Sequence, residues 1–315
     1  MRATCAGVAA WREAGLHWIG KNAFRADRDG NEQGNAMRIA TYMHKGRRSY
    51  GAAADGGYVD LGKRIGDKYP TLLALLEGGA LDAARKAAQG QKPDAPTREI
   101  EYLPLIPDRI NIYCTGLNYG GHIAETGRET PKFPRLFMKL DESLVGANQP
   151  MIRPKASKDY DFEGELMVVM GKTARHVSEG DAMNYVAGYT LFNDGSLRDF
   201  QARTTDQGKN FYHSSSVGPE LVTLDEVPPN DKMQLVSRLN GKVEQETRIA
   251  DMIFPVPKLV AYFSMISRLR PGDMIATGTC GRVDYSAKEF MKAGDVIEIE
   301  ITGLGKLRNP IVDEA

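Results

Sequence analysis

Strand-like runs of apolar and β-branched residues dominate the chain from about residue 98 onward. "RINIYCTG", "YVAGYTLFND", "RPGDMIATGT" and "GDVIEIEITGLGKL" have this character, and residues 166–170 predict a buried strand. "MQLVSRLNGKVEQETRI" predicts a hairpin, because Asn240-Gly241 suits the two positive φ angles of a type I′ turn. "VPKLVAYFSMISRL" predicts a solid helix. We therefore expect a mainly β protein with a few helices.

The region before residue 98 has a different pattern. Residues 37–62 alternate in two segments around Gly and Asp turns, which predicts a small β unit. Residues 71–89 have a helical period, and Gly78-Gly79 divides them into two short helices. Residues 90–97 are polar and contain Pro93 and Pro96, which predicts a linker. We therefore expect a small N-terminal α+β domain over residues 37–97 and a catalytic domain over residues 98–315.

The first 36 residues differ from both regions. Their apolar stretch is too short for a secretory signal, and residues 25–35 are polar and rich in turn formers. We expect residues 1–36 to be an extension that is either flexible or upstream of a natural start at Met37.

Charge and cysteine content narrow the classes of partner. The 315 residues carry 41 basic and 41 acidic side chains, so no basic excess favours nucleic acid or an anionic membrane surface. The three widely spaced cysteines give neither a disulfide framework nor a zinc pattern, and no apolar run has the length of a membrane span. We expect a cytoplasmic protein that acts on a small molecule and binds neither nucleic acid nor membrane.

Acidic residues stand at one end of the predicted buried strand. Glu163 and Glu165 are two apart, so their side chains would share one strand face, and Asp194 ends another predicted strand about thirty residues later. Three convergent carboxylates would suit a hard divalent ion such as Mg²⁺, Mn²⁺ or Ca²⁺. Spacing alone favours the alternative, an acidic strand that enters solvent with Asp194 as a turn former, because two nearby acids are a short motif.

Two further groups have the residue types of proton transfer and oxyanion binding. His122 and Glu125 are three apart in "GLNYGGHIAETG", so one helical turn would bring their side chains together. A carboxylate on one imidazole nitrogen fixes the tautomer and raises the basicity of the ring. Lys209 in "GKNF" can steady an oxyanion. A surface histidine and a solvated lysine are the alternatives that the residues leave open.

Together these stretches resemble the fumarylacetoacetate hydrolase family. The resemblance spans residue 111 to the C-terminus and is carried, in the family's order, by "YCTGLNYGGHIAETG", "DFEGELMVVMGKTARHVS", "YVAGYTLFNDGSLRDFQ", "GKNFYHSSSVGPELVTLDEV", "MIFPVPKLVAYFS", "LRPGDMIATGT" and "IEIEITGLGKLRNPI". It implies a catalytic domain with a mixed β-sandwich or roll fold, preceded along the chain by a small N-terminal domain. It also implies that the protein is usually a homodimer.

The resemblance also implies roles for individual residues. Glu163, Glu165 and Asp194 would bind the divalent ion, with Mg²⁺ or Mn²⁺ preferred and Ca²⁺ as an alternative. His122 and Glu125 would form the catalytic dyad, and Lys209 would be the active-site lysine. The substrate-binding positions would be Arg198, Gln201 and Thr279.

Family chemistry then predicts the reaction class. Substrates are 2-oxo acids or 1,3-dicarbonyls whose adjacent oxygens chelate a metal, and the reaction passes through an enolate. We expect hydrolysis of a carbon–carbon bond in an acylpyruvate or related 2,4-diketo acid, in aromatic or sugar-acid catabolism. Decarboxylation, isomerisation or hydration of a 2-oxo-dienoate would use the same enolate and are the alternatives.

Several positions depart from the family's pattern. Gly120 and Gly121 replace larger residues before His122, and Gly195 stands where valine is frequent. Cys280 stands where proline is common, and the following "GRVDYSAKEF" lacks a glycine-rich continuation. We expect these changes to reshape the mouth of the pocket and so to affect the choice of substrate.

Overall fold

The computed structural model describes residues 37–127, 129–283 and 289–315. The predicted extension over residues 1–36 lies outside these ranges. No helix within them is both long and apolar enough to cross a membrane.

Strands make up most of the regular structure in the described ranges. They are β1 (Arg38–His44), β2 (Arg47–Ala54), β3 (Gly57–Asp60), β4 (Ala95–Pro96), β5 (Ile100–Tyr102), β6 (Ile112–Cys114), β7 (Phe137–Lys139), β8 (Leu144–Val145), β9 (Met151–Arg153), β10 (Tyr160–Asp161), β11 (Gly164–Met170), β12 (Val186–Asn193), β13 (Ser196–Leu197), β14 (Ser215–Thr223), β15 (Gln234–Leu239), β16 (Lys242–Arg248), β17 (Met274–Ala276), β18 (Val296–Ile301) and β19 (Gly305–Asp313). The α-helices are α1 (Leu61–Arg64), α2 (Leu72–Glu77), α3 (Leu81–Ala88), α4 (Gly120–Thr126), α5 (Arg198–Gln201), α6 (Thr205–Lys209) and α7 (Val256–Ile266).

The described strands form one large sheet, a smaller sheet and a short pair. The large sheet has the order β4-β3-β2-β1-β14-β12-β11-β17-β6-β7, with β5 on β1 and β8 on β14. The smaller sheet has the order β16-β15-β18-β19-β9, and β10 pairs with β13. Most pairs are antiparallel, whereas β17–β6, β14–β8 and β19–β9 are parallel. The expected mainly β class is confirmed.

Strand β11 is apolar along most of its length because it faces two cores. Leu166, Val168 and Met170 pack in one hydrophobic cluster with residues of α7. Met167 and Val169 point to the other face and pack in a second cluster with residues of α2. Fully burying one such side chain stabilises the fold by about 1.5–3 kcal/mol. Packing from both faces therefore fixes β11, and with it the acidic residues at its start.

The local predictions for helices and turns are confirmed. Helices α2 and α3 are separated at Gly78-Gly79, and the predicted solid helix is α7. Strands β15 and β16 form the predicted hairpin, in which Asn240 and Gly241 have φ angles of 53° and 84°.

The two predicted domains share the large sheet. Strand β1 pairs with β14, and the described residues from Met37 to Ala315 belong to one compact unit. The predicted linker over residues 90–97 includes β4, which pairs with β3. A boundary near residue 97 between a small N-terminal domain and a catalytic domain stays a prediction.

Candidate metal centre and active site

The three predicted acidic residues converge at one end of the β11–β12 pair. Glu163 precedes β11, Glu165 lies within it, and Gly164 pairs with Asn193 at the end of β12, so that Asp194 follows directly. The Asp194 N–H also donates to the Glu163 carbonyl at 2.9 Å. The candidate ligand oxygens of the three buried acids lie within 4.8 Å of one another. The strand register therefore produces the cluster that the alternation predicted.

Cationic side chains pair with two of these carboxylates, Glu163 and Asp194. Lys209 Nζ lies 2.5 Å from Glu163 Oε2 and 2.9 Å from Asp194 Oδ2, and it donates to Ser196 Oγ at 2.6 Å. Arg198 Nη1 donates to Glu163 Oε1 at 2.6 Å. Of the predicted site residues, Lys209 and Arg198 are thus brought directly to the acidic cluster.

Lys139 is a third cationic side chain of the site, which the sequence analysis missed. Its side chain is fully buried on β7, with Nζ 2.6 Å from Asp194 Oδ1, and it also donates to the Lys209 carbonyl. The available signal was the two-residue alternation of "FMK": it places Lys139 opposite the exposed Met138, on the inner face of the strand. Two buried lysines and the partly exposed Arg198 therefore pair with Glu163 and Asp194 in the described part of the site.

The electrostatic environment separates the pKa values of neighbouring acids. Burial raises the pKa of Glu165 well above its usual range, and the charges of Asp194 and Glu163 raise it further. Burial also acts to raise the pKa of Glu163, but Lys209 and Arg198 outweigh it and hold this pKa below its usual range. A divalent cation would favour the ionised form of Glu165, since it would supply the opposite charge that this carboxyl lacks.

Lys209 remains a cation in this environment. Burial acts to lower its pKa, but the charges of Asp194 and Glu163 raise the pKa above its usual value. It is therefore suited to stabilise negative charge and unsuited to act as a neutral base.

His122 and Glu125 meet on α4 as predicted. His122 Nδ1 lies 3.0 Å from Glu125 Oε2, and both side chains are largely buried. The backbone of α4 at His122 lies against Gly281, since a Cβ added to Gly281 would be 3.2 Å from the His122 nitrogen. Three residues earlier, the Gly278 N–H donates to Glu165 Oε2 at 2.7 Å. The segment 278–281 therefore brings the dyad near the acidic cluster. With Nδ1 held by Glu125, Nε2 is the nitrogen suited to exchange protons with a ligand.

Comparison with known proteins agrees with this arrangement. The family model described as "Fumarylacetoacetate (FAA) hydrolase C-terminal" matches residues 111–312. The chain belongs to the fumarylacetoacetate hydrolase family. It is 36% identical over 264 residues to the mitochondrial oxaloacetate tautomerase Fahd2a of Rattus norvegicus, covering 82% of this chain and 84% of that protein.

Other similar proteins are named for different reactions. This chain is 36% identical over 244 residues to the homoprotocatechuate catabolism bifunctional isomerase/decarboxylase of Escherichia coli, covering 74% of this chain and 56% of that protein. Fumarylacetoacetate hydrolase from the psychrophile Exiguobacterium antarcticum has the same fold, with a TM-score of 0.73, 28% identity, and coverage of 88% of this chain and 100% of the other. The family's fold is therefore confirmed, whereas membership alone does not select a reaction.

Two residues predicted to bind substrate have internal partners in this family member. Gln201 Oε1 accepts from Arg198 Nη1 at 2.8 Å. The buried Thr279 hydroxyl donates to the Gly164 carbonyl at 2.9 Å and accepts from Gln245 Nε2 at 2.8 Å. Thr279 thus helps to build the wall of the site, and contact of Gln201 or Thr279 with substrate stays a prediction.

Gln245 is another residue that the sequence analysis missed. Its Nε2 donates to the Cys280 carbonyl at 2.9 Å, and its Oε1 accepts from the Gly164 N–H at 3.0 Å. Two residues before Cys280, the Gly278 N–H donates to Glu165 Oε2 at 2.7 Å. Hydrogen bonds from both segments therefore position the start of β11 and its acidic residue.

Proposed function

We propose that this protein is a divalent-metal-dependent enzyme that interconverts the keto and enol forms of a 2-oxo dicarboxylic acid, with oxaloacetate as the substrate. The observation that carries the proposal is the His122–Glu125 dyad beside three buried, convergent carboxylates. A proton-transfer pair next to a hard-ion site is the machinery that enolisation needs. The relatives named oxaloacetate tautomerases support this choice among the family's reactions.

The donor set fits a hard divalent ion. Glu163, Glu165 and Asp194 offer only oxygen atoms within a 4.8 Å spread, and the described part of this cluster contains neither histidine nor cysteine. Such ligands suit Mg²⁺ or Mn²⁺, with Ca²⁺ as the alternative. When bound, the ion supplies Lewis acidity that polarises the 2-oxo group of the substrate.

The charge of the site favours an anionic substrate. Lys139, Lys209 and Arg198 pair with the acidic cluster, and Arg198 also pairs with Asp161. A divalent ion would add two positive charges to this network. The carboxylate of a 2-oxo acid would offset part of that charge, so neutral ligands would bind less well.

His122 would transfer the proton. Its Nε2 accepts a proton from the carbon next to the 2-oxo group, and Glu125 stabilises the resulting imidazolium through Nδ1. The C–H bond electrons move into the carbon–carbon double bond, and the carbonyl electrons move onto oxygen. Lys209 stabilises this oxyanion until it receives a proton from His122. One C–H bond is broken and one O–H bond is formed, so the overall reaction is a tautomerisation.

Hydrolysis of an acylpyruvate is the second candidate. The dyad could instead remove a proton from water, and the hydroxide would then attack the distal carbonyl with Lys209 supporting the oxyanion. The contact between His122 Nδ1 and Glu125 Oε2 supports hydrolysis as well, because a histidine oriented in this way can also activate water. Hydrolysis additionally requires room for a water molecule beside the substrate.

The two candidates differ in the fate of the substrate. Purified protein with Mn²⁺ is expected to speed the loss of enol absorbance when enolic oxaloacetate is added, with no carbon–carbon cleavage. Hydrolysis predicts a different result for an acylpyruvate in ¹⁸O-labelled water. The released carboxylic acid would carry one label, and pyruvate would be the other product. Acylpyruvate cleavage without oxaloacetate tautomerisation would overturn the first proposal in favour of the second.

The expectations of a homodimer, a cytoplasmic location and an exclusively small-molecule partner stay predictions. Size-exclusion chromatography with light scattering tests the first of them, since a homodimer would have twice the 34.7 kDa mass of the chain.

A further inference from the structure

Asn210 directly follows Lys209 in the chain, and its side chain reaches the outer edge of strand β7. Its Oδ1 accepts from the Leu140 N–H at 2.6 Å, and its Nδ2 donates to the Met138 carbonyl at 3.1 Å. Met138 and Leu140 flank Lys139, the other buried lysine of the site. One amide group therefore joins the two chain segments that carry Lys139 and Lys209.

These two hydrogen bonds resemble the pairing of strands. Strand β7 is at one end of the large sheet, and its inner edge pairs with β6 over three residues. The outer edge of such a strand presents N–H and C=O groups that need partners. A side-chain amide offers a donor and an acceptor in one plane, as the backbone of a further strand would. Asn210 therefore binds to a strand that the sheet already holds in place.

Helix α6, which ends at Lys209, depends on contacts of this kind. It has five residues, of which the first three are exposed, and a helix of this length is unstable without tertiary contacts. Asn210 Nδ2 also donates to the Asp206 carbonyl at 3.0 Å, so the same side chain binds the end of the helix. The direct contact between Asp206 Oδ1 and the Met138 N–H is longer, at 3.4 Å. Asn210 therefore connects the end of α6 to β7 more closely than Asp206 does.

We propose that Asn210 is a positioning residue that sets the Lys209 ammonium group at the acidic cluster by holding the end of α6 against β7. The inference rests on the proposed function, in which Lys209 stabilises the oxyanion. The ion pairs with Glu163 Oε2 at 2.5 Å and Asp194 Oδ2 at 2.9 Å fix only the tip of the lysine side chain. Asn210 helps to fix its backbone. A misplacement of about 1 Å in an active site can cost about 10²-fold in rate.

The first test is kinetic, with oxaloacetate as substrate. Asn210→Ala removes both hydrogen bonds to β7 and leaves the dyad and the acidic ligands in place. We expect kcat to fall about ten- to hundredfold, while KM stays within about twofold and Mn²⁺ affinity is retained. An unchanged kcat would overturn the inference.

Two further variants make this test specific. Asn210→Asp keeps the shape and the acceptor but lacks the donor, so it should lower kcat as well, and it decides by the same criterion if Asn210→Ala does not fold. Asn184 is an exposed asparagine whose side chain makes no hydrogen bond within the described ranges. Asn184→Ala should therefore have the kcat of the parent protein.

A double-mutant cycle separates positioning of Lys209 from a merely structural role. Lys209→Met keeps the dyad and the metal ligands, so a reduced rate should remain measurable. In this background, Asn210→Ala should change kcat by less than about twofold, because the ammonium group that it positions is absent. A further decrease as large as in the parent background would show that Asn210 acts by another route, and would contradict the inference.

Hydrogen exchange tests the contact without any turnover. In Asn210→Ala, the amides of α6 and of Leu140 should exchange about tenfold faster or more, as expected from the loss of two hydrogen bonds. The buried amides of β12 should keep their protection. Equal exchange in the variant and the parent protein would overturn the inference. If the parent protein turns over no 2-oxo acid, the proposed function fails, and hydrogen exchange alone decides whether Asn210 holds α6 against β7.

Discussion

Lys139 Nζ lies 2.6 Å from Asp194 Oδ1, and both side chains are completely buried. The pair joins an edge strand of the large sheet, β7, to the end of β12 at the acidic cluster. Lys139 also donates to the backbone carbonyl of Lys209, so it orients the chain segment that carries the second lysine. The site therefore depends on a residue that no short motif around the acids would indicate.

Replacing Lys139 with methionine should damage both stability and activity. The variant keeps the length of the side chain but leaves Asp194 with less compensating charge, and breaking a buried ion pair typically costs about 3–5 kcal/mol. We expect a decrease of this size in the free energy of unfolding, measured by urea denaturation. Lys86→Met, on the exposed surface of α3, is the matched control and should change stability by less than about 0.5 kcal/mol. Equal stability of the two variants would contradict the buried pair.

Glu165→Gln should abolish tight metal binding without unfolding the protein. The amide keeps the shape of the side chain but removes a charge that its neighbours Asp194 and Glu163 disfavour. We expect calorimetry to show that Mn²⁺ affinity falls by more than the roughly 10–100-fold typical of changes outside the ligand set. The metal-free variant should be at least as stable as the parent protein. Glu101→Gln, an exposed residue of β5, is the control. Unchanged Mn²⁺ binding in Glu165→Gln would remove Glu165 from the ligand set.

Glu125→Gln should separate proton transfer from metal binding. The substitution leaves the three acidic ligands in place, so Mn²⁺ affinity should be retained. Turnover should fall by about 10²–10⁴-fold, the usual contribution of a general base, because His122 loses the carboxylate that orients it. Glu129→Gln, an exposed residue just beyond α4, should behave like the parent protein. Full turnover by Glu125→Gln on every substrate tested would refute the dyad.

Glu220, in β14, should make stability depend on pH. Burial raises the pKa of this carboxyl, although its hydrogen bond from Tyr58 and the charge of Arg38 act in the opposite direction. A carboxyl with a raised pKa in the folded state stabilises the protein fully below its unfolded pKa, and this contribution is lost as pH rises through the folded pKa. Glu220→Gln imitates the protonated form. Thermal unfolding from mildly acidic to neutral pH should therefore show a smaller decline in the variant; identical slopes would contradict the raised pKa.

Much of the site could be predicted because it depends on local geometry. Strand alternation brings Glu163 and Glu165 to one face, and one helical turn joins His122 to Glu125. The apolar run that became β11 was recognisable because a strand packed on both faces needs few polar residues. Strand alternation repeats every two residues and a helical turn every three to four, so both patterns can be recognised in a short stretch of sequence.

The remaining contacts depend on distant chain segments. Lys139 reaches Asp194 across 55 positions, and Arg282 reaches Asp161 across 121. No local sequence pattern links the two residues of either contact. An isolated lysine or arginine is usually exposed, so neither residue would be expected in a buried ion pair. The polar residues 90–97 were predicted as a linker, yet β4 within them extends the large sheet, because pairing with β3 outweighs local composition.

Proton exchange at the carbon next to the 2-oxo group tests the central claim most directly. In D₂O, proton NMR should show that the protein with Mg²⁺ accelerates the loss of the C3 signal of oxaloacetate far above the rate in buffer with Mg²⁺ alone. The acceleration should disappear after chelation and in Glu165→Gln. Exchange at the buffer rate, or acceleration that persists without a divalent ion, would contradict metal-dependent enolisation by this protein.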